Sequence, residues 1–344
     1  KALFCNMYHI RPAGTRAGGE LPRELSFLDM FQVGSTAQLN IARRWRESDP
    51  VHSLKAMIGR DRDGFPIWLD LHEKAHGPHG LVAGMTGSGK SEFLISYVLA
   101  MAASYRPDEV AFVLIDFKGG GMADVFRGLP HLAGAITNLD GTELRRSFLA
   151  IESELERRQQ LFQQAARKLG VGSLDIYSYQ AYCRQGKLDR PLPHLILISD
   201  EFAELKLQHG DFMDQLIRIA RIGRSLGVHL ILATQKPDGV VNDQILSNIR
   251  FKVCLKVQSR ADSQSMLGVP DAAALSCAGR FYYQVGFNEL FELGQSGWSG
   301  APYREKERYE PPRDLAVELL NEQGAVVAAA APRAPGQDSG RRQA

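Results

Sequence analysis

An α/β fold, with a mostly parallel central sheet flanked by helices, is the class this sequence predicts, and three observations predict it. From about residue 78 to 303, short apolar runs alternate with helical stretches, which is the pattern of successive βαβ units. Gly84-Met85-Thr86-Gly87-Ser88-Gly89-Lys90-Ser91 joins one such run to one such helix. It fits G-x-x-x-x-G-K-[ST], the glycine-rich loop whose backbone N–H groups cradle nucleotide phosphates. A third run, His194-Leu-Ile-Leu-Ile198, leads into Ser199-Asp200-Glu201, so two adjacent carboxylates stand at a strand end.

The elements follow in order. Residues 11–23 mix Gly, Pro and Arg, after which Ser26-Phe-Leu-Asp-Met-Phe31 reads as a helix capped by Ser26. Leu39, Ile41 and Trp45 suggest a second short helical turn. Between 51 and 75, Leu54, Ala56 and Ile58, then Ile67, Leu69 and Leu71, alternate with polar residues around Asp61-Arg-Asp-Gly64. That pattern predicts a β-hairpin laid against the main domain. Strands are expected at 80–83, 110–115, 195–198, 228–233 and 251–257, their near-continuous apolar runs fitting burial on both faces. Thr142 to Lys168 reads as one long helix, with Leu144, Phe148, Ile151, Leu155 and Phe162 on one side and Gly170 as its stop. The expected organisation is a small N-terminal α+β extension (1–75), the main domain (76–303) and a linker or frayed tail (304–344), with no internal repeat.

Composition bounds the function. The 344 residues are 44% hydrophobic and 23% charged, with a net charge of +2, globular values that give no whole-chain attraction to nucleic acid or acidic membranes. Cys5, Cys183, Cys254 and Cys277 form no C-x-x-C pair, which argues against a metal site or a disulfide scaffold and for a reducing compartment. No apolar run reaches the length of a membrane span and no signal peptide precedes the first helix. The chain starts at Lys1 rather than Met and is read as a piece of something longer.

The candidate site residues carry complementary chemistry. Gly84 to Ser91 would hold the phosphates of ATP, with Lys90 on the β- and γ-phosphates and Gly87 and Gly89 permitting close backbone approach. Asp200 and the Ser91 hydroxyl would serve Mg²⁺, and Glu201 would orient and deprotonate the attacking water; the plainer alternative is that both carboxylates cap the next helix. Gln235, at the end of the run 228–234, would sense the γ-phosphate or hold the water, unless it is simply solvated beside a capping Thr234. Arg224, ahead of that strand, cannot easily reach its own site and would act on a neighbouring subunit, or merely complement a helix C-terminus. Arg250 is a weaker candidate for the same task, and Lys118, beside Gly119-Gly-Gly121, is either a phosphate contact or a solvated loop lysine.

Taken together these residues resemble the FtsK/SpoIIIE family of ring-forming ATPases, and within it the EssC/EccC-type ATPases of type VII secretion. The resemblance runs from about 25 to 303. It rests on Gly80 to Glu92, Asp116-Phe-Lys-Gly-Gly-Gly-Met122, Leu129-Pro-His-Leu132, Ala135 to Gly141, Ser199 to Leu205 and Arg221 to Gln235. It extends through Leu255-Lys-Val-Gln258, Pro270 to Ala273, Gly279-Arg280 and Gln295 to Tyr303, while Leu71 to His79 is similar to the EssC branch in particular. The resemblance implies a RecA-like P-loop NTPase and the first motor domain of a tandem, in the cytoplasmic part of a bacterial cell-membrane protein. It further implies a hexameric ring of motor domains, small helical secreted substrates, membrane contact through parts outside this sequence, and Arg224 as the residue that acts on a neighbour's nucleotide.

Three functions compete at this point: a protein-export motor, a regulatory or docking module that binds nucleotide with little turnover, and a double-stranded DNA translocase. A DNA pump needs basic pore loops, for which Lys118 and the Arg/Lys residues at 157–168 are the hints, although on a long helix those read as a solvated face. Leu267, Val269, Leu275, Tyr282 and Tyr283 would line a peptide pocket or pack in the core. Complete Lys90, Ser91, Asp200 and Glu201 favour the export motor, with DNA not among the expected partners.

Overall fold

A computed structural model describes residues 10–12, 21–116, 121–137, 141–204, 210–237, 239, 246–287, 289–303, 305–306, 309, 317–320 and 326–330. Its strands are β1 (Ile10–Pro12), β2 (Lys55–Arg60), β3 (Pro66–Asp70), β4 (Gly80–Ala83), β5 (Val110–Ile115), β6 (Leu132–Ile136) and β7 (His194–Ser199). They continue as β8 (Val228–Thr234), β9 (Phe251–Leu255), β10 (Arg280–Val285), β11 (Leu290–Gln295), β12 (Val317–Leu320) and β13 (Val326–Ala330). The helices are α1 (Phe27–Phe31), α2 (Ile41–Glu47), α3 (Lys90–Ser104), α4 (Gly121–Val125), α5 (Gly141–Leu169), α6 (Ile176–Arg184), α7 (Gly210–Leu226) and α8 (Arg260–Leu267).

Ten strands form one sheet in the order β3-β2-β11-β10-β9-β4-β8-β7-β5-β6. The six from β9 to β6 are parallel, and β10, β11, β2 and β3 extend the sheet in antiparallel fashion. Every residue of β4, β7 and β8 is buried, as expected of parallel strands covered on both faces. This is the mostly parallel α/β architecture of a P-loop ATPase. The five expected parallel strands are all present; β6 and the β10–β11 hairpin complete the sheet. β6 alternates partly buried with exposed residues at the sheet edge, and its small-residue sequence Leu-Ala-Gly-Ala-Ile carries no apolar run to betray it.

The hairpin expected within 51–75 is β2–β3, closed where Asp61 Oδ1 accepts from the Asp63 and Phe65 amides and Gly64 adopts φ +82°. It packs against the main domain and also joins its sheet. Arg60 pairs with Gln295 in register, so the hairpin continues the central sheet, and Leu54, Ile58, Ile67 and Leu69 belong to the same buried cluster as Leu81 and Phe112. Ser26 caps α1 through its hydroxyl, which accepts from the Asp29 amide at 3.0 Å. Trp45 on α2 donates to Ala102 O at 2.9 Å and fastens that helix to α3.

α5 buries Leu144, Phe148, Ile151, Leu155 and Phe162, and the chain leaves it through Gly170 at φ +68°. One expectation for this helix is corrected. Arg158 is not part of a solvated face: it is 1% exposed, donating to Glu154 Oε1 at 2.8 Å and to Leu226 O at 2.9 Å. It thereby supplies a cation and donor to the carbonyl end of α7, where the helix dipole is negative.

The stretch 304–344, read as a linker or tail, contains β12 and β13, which pair with each other and with β1 in a separate three-stranded antiparallel sheet. Leu267, Leu275 and Tyr283 are buried and Val269 and Tyr282 pack against the core, so these five are core residues rather than the walls of an open peptide pocket.

Candidate active site

β4 lies between β8 and β9, so the loop that leaves it emerges among the carboxyl ends of parallel strands, where ligands of open α/β sheets bind. The loop is still tied to both neighbours as it departs. Gly84 N donates to Thr234 O at 3.1 Å and Met85 N to Lys256 O at 2.8 Å, and Ser88 N closes the turn on Met85 O at 3.0 Å. Gly87 and Gly89 take φ of +80° and +89°, a left-handed conformation that costs a side-chain-bearing residue strain. A Cβ on Gly89 would also come within 2.6 Å of the Gly279 nitrogen. Thr86, Gly87 and Ser91 are exposed, whereas Ser88 and Lys90 are buried.

The second half of the site arrives from β7 and β8. Lys90 Nζ donates to the Asp200 carbonyl oxygen and stands 3.6 Å from Glu201 Oε2. Glu201 Oε1 accepts from Thr234 Oγ1 at 2.9 Å and from Gln235 N at 3.1 Å. The other oxygen, Oε2, is buried without a hydrogen bond among the described residues. Thr86 Oγ1 donates to Gln235 Oε1 at 2.9 Å, joining the tip of the loop to the end of β8. The arrangement brings Thr86, Lys90, Asp200, Glu201 and Gln235 together. One oxygen of Glu201 is held rigidly and the other is left on the loop side with spare acceptor capacity, which suits an acid–base group.

Two contributions went unrecognised in the sequence. Thr234 is an orienting hydroxyl for Glu201, not a helix cap. The turn at Gly279 is the floor under Gly89: Gly279 N donates to Ser88 O at 2.8 Å. The only signal for the first was a hydroxyl residue at the carboxyl end of an apolar strand.

Arg224 does not join this cluster. It sits in the last turn of α7, before β8, and therefore at the amino edge of the sheet. The seven residues of β8 separate it from Gln235 by roughly 20 Å at about 3.3 Å per residue. Its side chain is 59% exposed, and its guanidinium pairs with Glu73 Oε2 at 3.0 Å. Arg250 is at the same edge and pairs with Glu289 at 3.1 Å. Lys118 lies outside the described residues; Asp116 before it accepts from the Met122 amide at 2.8 Å at the start of α4.

Three buried histidines bolt that amino edge together. His79 Nε2–H donates to Ala220 O at 2.7 Å and its Nδ1 accepts from Leu230 N at 3.0 Å. His229 Nδ1–H donates to Pro78 O at 3.1 Å, leaving Nε2 to accept from His194 Nδ1–H at 2.9 Å. Because carbonyls only accept and amides only donate, these partners fix neutral tautomers. Burial pushes His79 down to about 4 and His229 to about 3, and holds His194 well below the usual histidine range.

The family model of FtsK/SpoIIIE matches residues 39–239. The chain is 50% identical over 311 residues to the type VII secretion system protein EssC of Staphylococcus aureus (strain Mu50 / ATCC 700699), covering 90% of this chain and 20% of that protein. It is 52% identical over 288 residues to the ESX secretion system protein YukB of Bacillus subtilis (strain 168), covering 83% and 19%. Among solved structures, the cytoplasmic domain of the Thermomonospora curvata type VII secretion ATPase EccC superposes with a TM-score of 0.74 at 33% identity, covering 83% of this chain and 33% of that one. The chain thus spans about a fifth of the length of the curated relatives it matches. No helix among the described residues is long and apolar enough to cross a membrane. With a phosphate loop, a carboxylate pair and a parallel sheet arranged as above, and a family match across more than half its length, the chain belongs to the FtsK/SpoIIIE family and is a P-loop ATPase domain.

Proposed function

We propose that this chain is the first motor domain of a membrane-anchored type VII secretion ATPase, where it binds and hydrolyses ATP to drive assembly or substrate export. The observation that carries the reading is the Glu201 carboxylate, fastened by Thr234 and Gln235 on one oxygen and facing Lys90 with the other. In this reading the backbone amides of 84–91 and the Lys90 ammonium bind the triphosphate. A triphosphate there competes with Asp200 O and Glu201 for Lys90. Glu201 accepts the proton of a water whose oxygen attacks the γ-phosphorus, releasing ADP and phosphate. Gln235 positions that water or senses the γ-phosphate. The Ser91 hydroxyl and Asp200 carboxylate are hard oxygen donors that suit Mg²⁺, which when bound neutralises phosphate charge.

The exposed Arg224, remote from its own loop, is offered to the nucleotide of a neighbouring domain in a ring, a hexamer by family resemblance, and turnover by the isolated domain is slow for want of that neighbour. Small helical secreted proteins are the proposed substrates, and the proposed place of action is the cytoplasmic face of a bacterial cell membrane, reached through parts outside this sequence. The basic stretch 157–168 loses Arg158 to the interior, where it bonds Glu154 and Leu226 O, which weakens a DNA-pumping role. The test is a pair of substitutions. Lys90→Ala should abolish ATP binding, and Glu201→Gln should keep binding while stopping hydrolysis. Normal turnover in the Glu201→Gln protein would remove the reading.

A further inference from the structure

Residues 71–79 join β3 to β4 and end at the amino edge of the sheet, opposite the phosphate loop. The segment is held from several sides. His72 N donates to Asp70 Oδ1 at 2.9 Å, and the Ala75 and Gly77 amides both donate to His72 O, at 2.9 and 3.1 Å. The His72 ring accepts from Lys74 N at 3.1 Å through Nδ1, and its Nε2–H donates to Val51 O at 3.1 Å. Glu73 N donates to the Tyr177 hydroxyl at 3.1 Å, and the Tyr177 ring lies against His72 with centroids 4.2 Å apart. The backbone that carries the Glu73 carboxylate is therefore fixed.

Glu73 is where this segment meets α7. Its Oε2 accepts from Nε of Arg224 at 3.0 Å, the two side chains being 21% and 59% exposed. The end of α7 is fastened as well, by His79 on Ala220 O and Arg158 on Leu226 O. An ion pair this open to water adds little to stability. Its consequence is direction. Glu73 takes Nε alone, and Nη1 and Nη2 of Arg224 make no hydrogen bond among the described residues. Those two nitrogens form the end of the planar fork that binds a phosphate by two parallel hydrogen bonds.

We infer that Glu73 is a positioning residue for Arg224: by holding Nε, it presents Nη1 and Nη2 outward from the amino edge to the phosphates of a neighbouring motor domain. This rests on the proposed action of Arg224 on a neighbour's nucleotide. It gives residues 71–79 a part in catalysis at a site other than their own.

Mixed assemblies test the two sides of the interface separately. One protein carries Glu201→Gln and lends its arginine; the other carries Arg224→Ala and lends its catalytic carboxylate. With Glu73 intact in both, turnover should exceed that of either protein alone. Glu73→Ala added to the arginine donor should cut the recovered kcat about three- to ten-fold, with KM for ATP changed by less than about two-fold. The same change in the Arg224→Ala protein should leave the recovery intact, because Glu73 has no guanidinium to hold there. Glu73→Gln in the donor keeps an acceptor oxygen at the same reach and should lose less than Glu73→Ala. Equal losses from the two placements would mark a structural part, no loss from either an idle pair, and a gain in the donor a restraint on Arg224; each would overturn the positioning role. No recovery with Glu73 intact, in assemblies verified by mass, would overturn the action of Arg224 in trans and the role of Glu73 with it.

Discussion

The hydroxyl of Thr234 donates a 2.9 Å hydrogen bond to Glu201 Oε1, with both residues buried and both at carboxyl ends of neighbouring parallel strands. A hydrogen bond to a charged group contributes about 1.5–3 kcal/mol. Thr234→Val keeps the shape and removes the donor. Turnover should fall about ten- to a hundred-fold with ATP affinity little changed, and Thr234→Ser should recover most of the loss. Steady-state kinetics alongside nucleotide titration check this.

Arg224 and the phosphate loop occupy opposite edges of the sheet, so any catalytic role of Arg224 requires a second molecule. Arg224→Ala and Glu201→Gln proteins, each defective alone, should regain activity when co-assembled, because one interface in the mixture combines an intact Arg224 with an intact Glu201. Mixed assemblies verified by mass that show no recovery would exclude the role in trans.

Arg158 is a buried cation with two acceptors, Glu154 and Leu226 O. Removing Arg158 leaves Glu154 still held by Arg157 but orphans the Leu226 carbonyl, a loss of about 1–3 kcal/mol. Arg158→Ala should lower the urea midpoint accordingly, with no direct effect on nucleotide affinity of the folded fraction. Arg158→Met should be milder, since it restores apolar volume beside α7.

The histidines at the amino edge make stability pH-dependent in a defined direction. The folded chain keeps His79 and His229 neutral down to about 4 and about 3, whereas the unfolded chain protonates them near 6.5. The unfolded state therefore binds protons first as pH falls. Their contribution is fully present above about 6.5, and is lost progressively down to about 4 for His79 and about 3 for His229. His79 alone accounts for about 3 kcal/mol at the bottom of its window. His79→Gln should flatten the acid limb of a denaturation curve, measured as ΔG of unfolding between neutral pH and pH 4 or so.

The parts of the site legible in the sequence are those built from consecutive residues. The strand–loop–helix from β4 through Gly84–Ser91 into α3 needs only an apolar run, glycines able to take positive φ, and a helix start, all of which adjacent residues specify. Asp200 and Glu201 were equally visible, because two carboxylates ending an apolar strand are a local pattern. The parallel α/β class followed from the same periodicity.

Tertiary structure alone decided the rest. Thr234 meets Glu201, and Gly279 meets Gly89, because strand order places β8 and β9 on either side of β4; periodicity reports which face a residue occupies but not which strands become neighbours. Arg158 looked like one more charge on a long helix until α7 brought Leu226 O to it. The β2–β3 hairpin was visible as two alternating runs, but its union with β11 at Arg60 and Gln295 depended on a distant strand offering a free edge. The sequence by itself specified the glycine-rich strand–loop–helix at 84–91. The fold determined what holds Glu201 and which edge of the domain Arg224 faces, because those depend on contacts between segments that chain order does not place side by side.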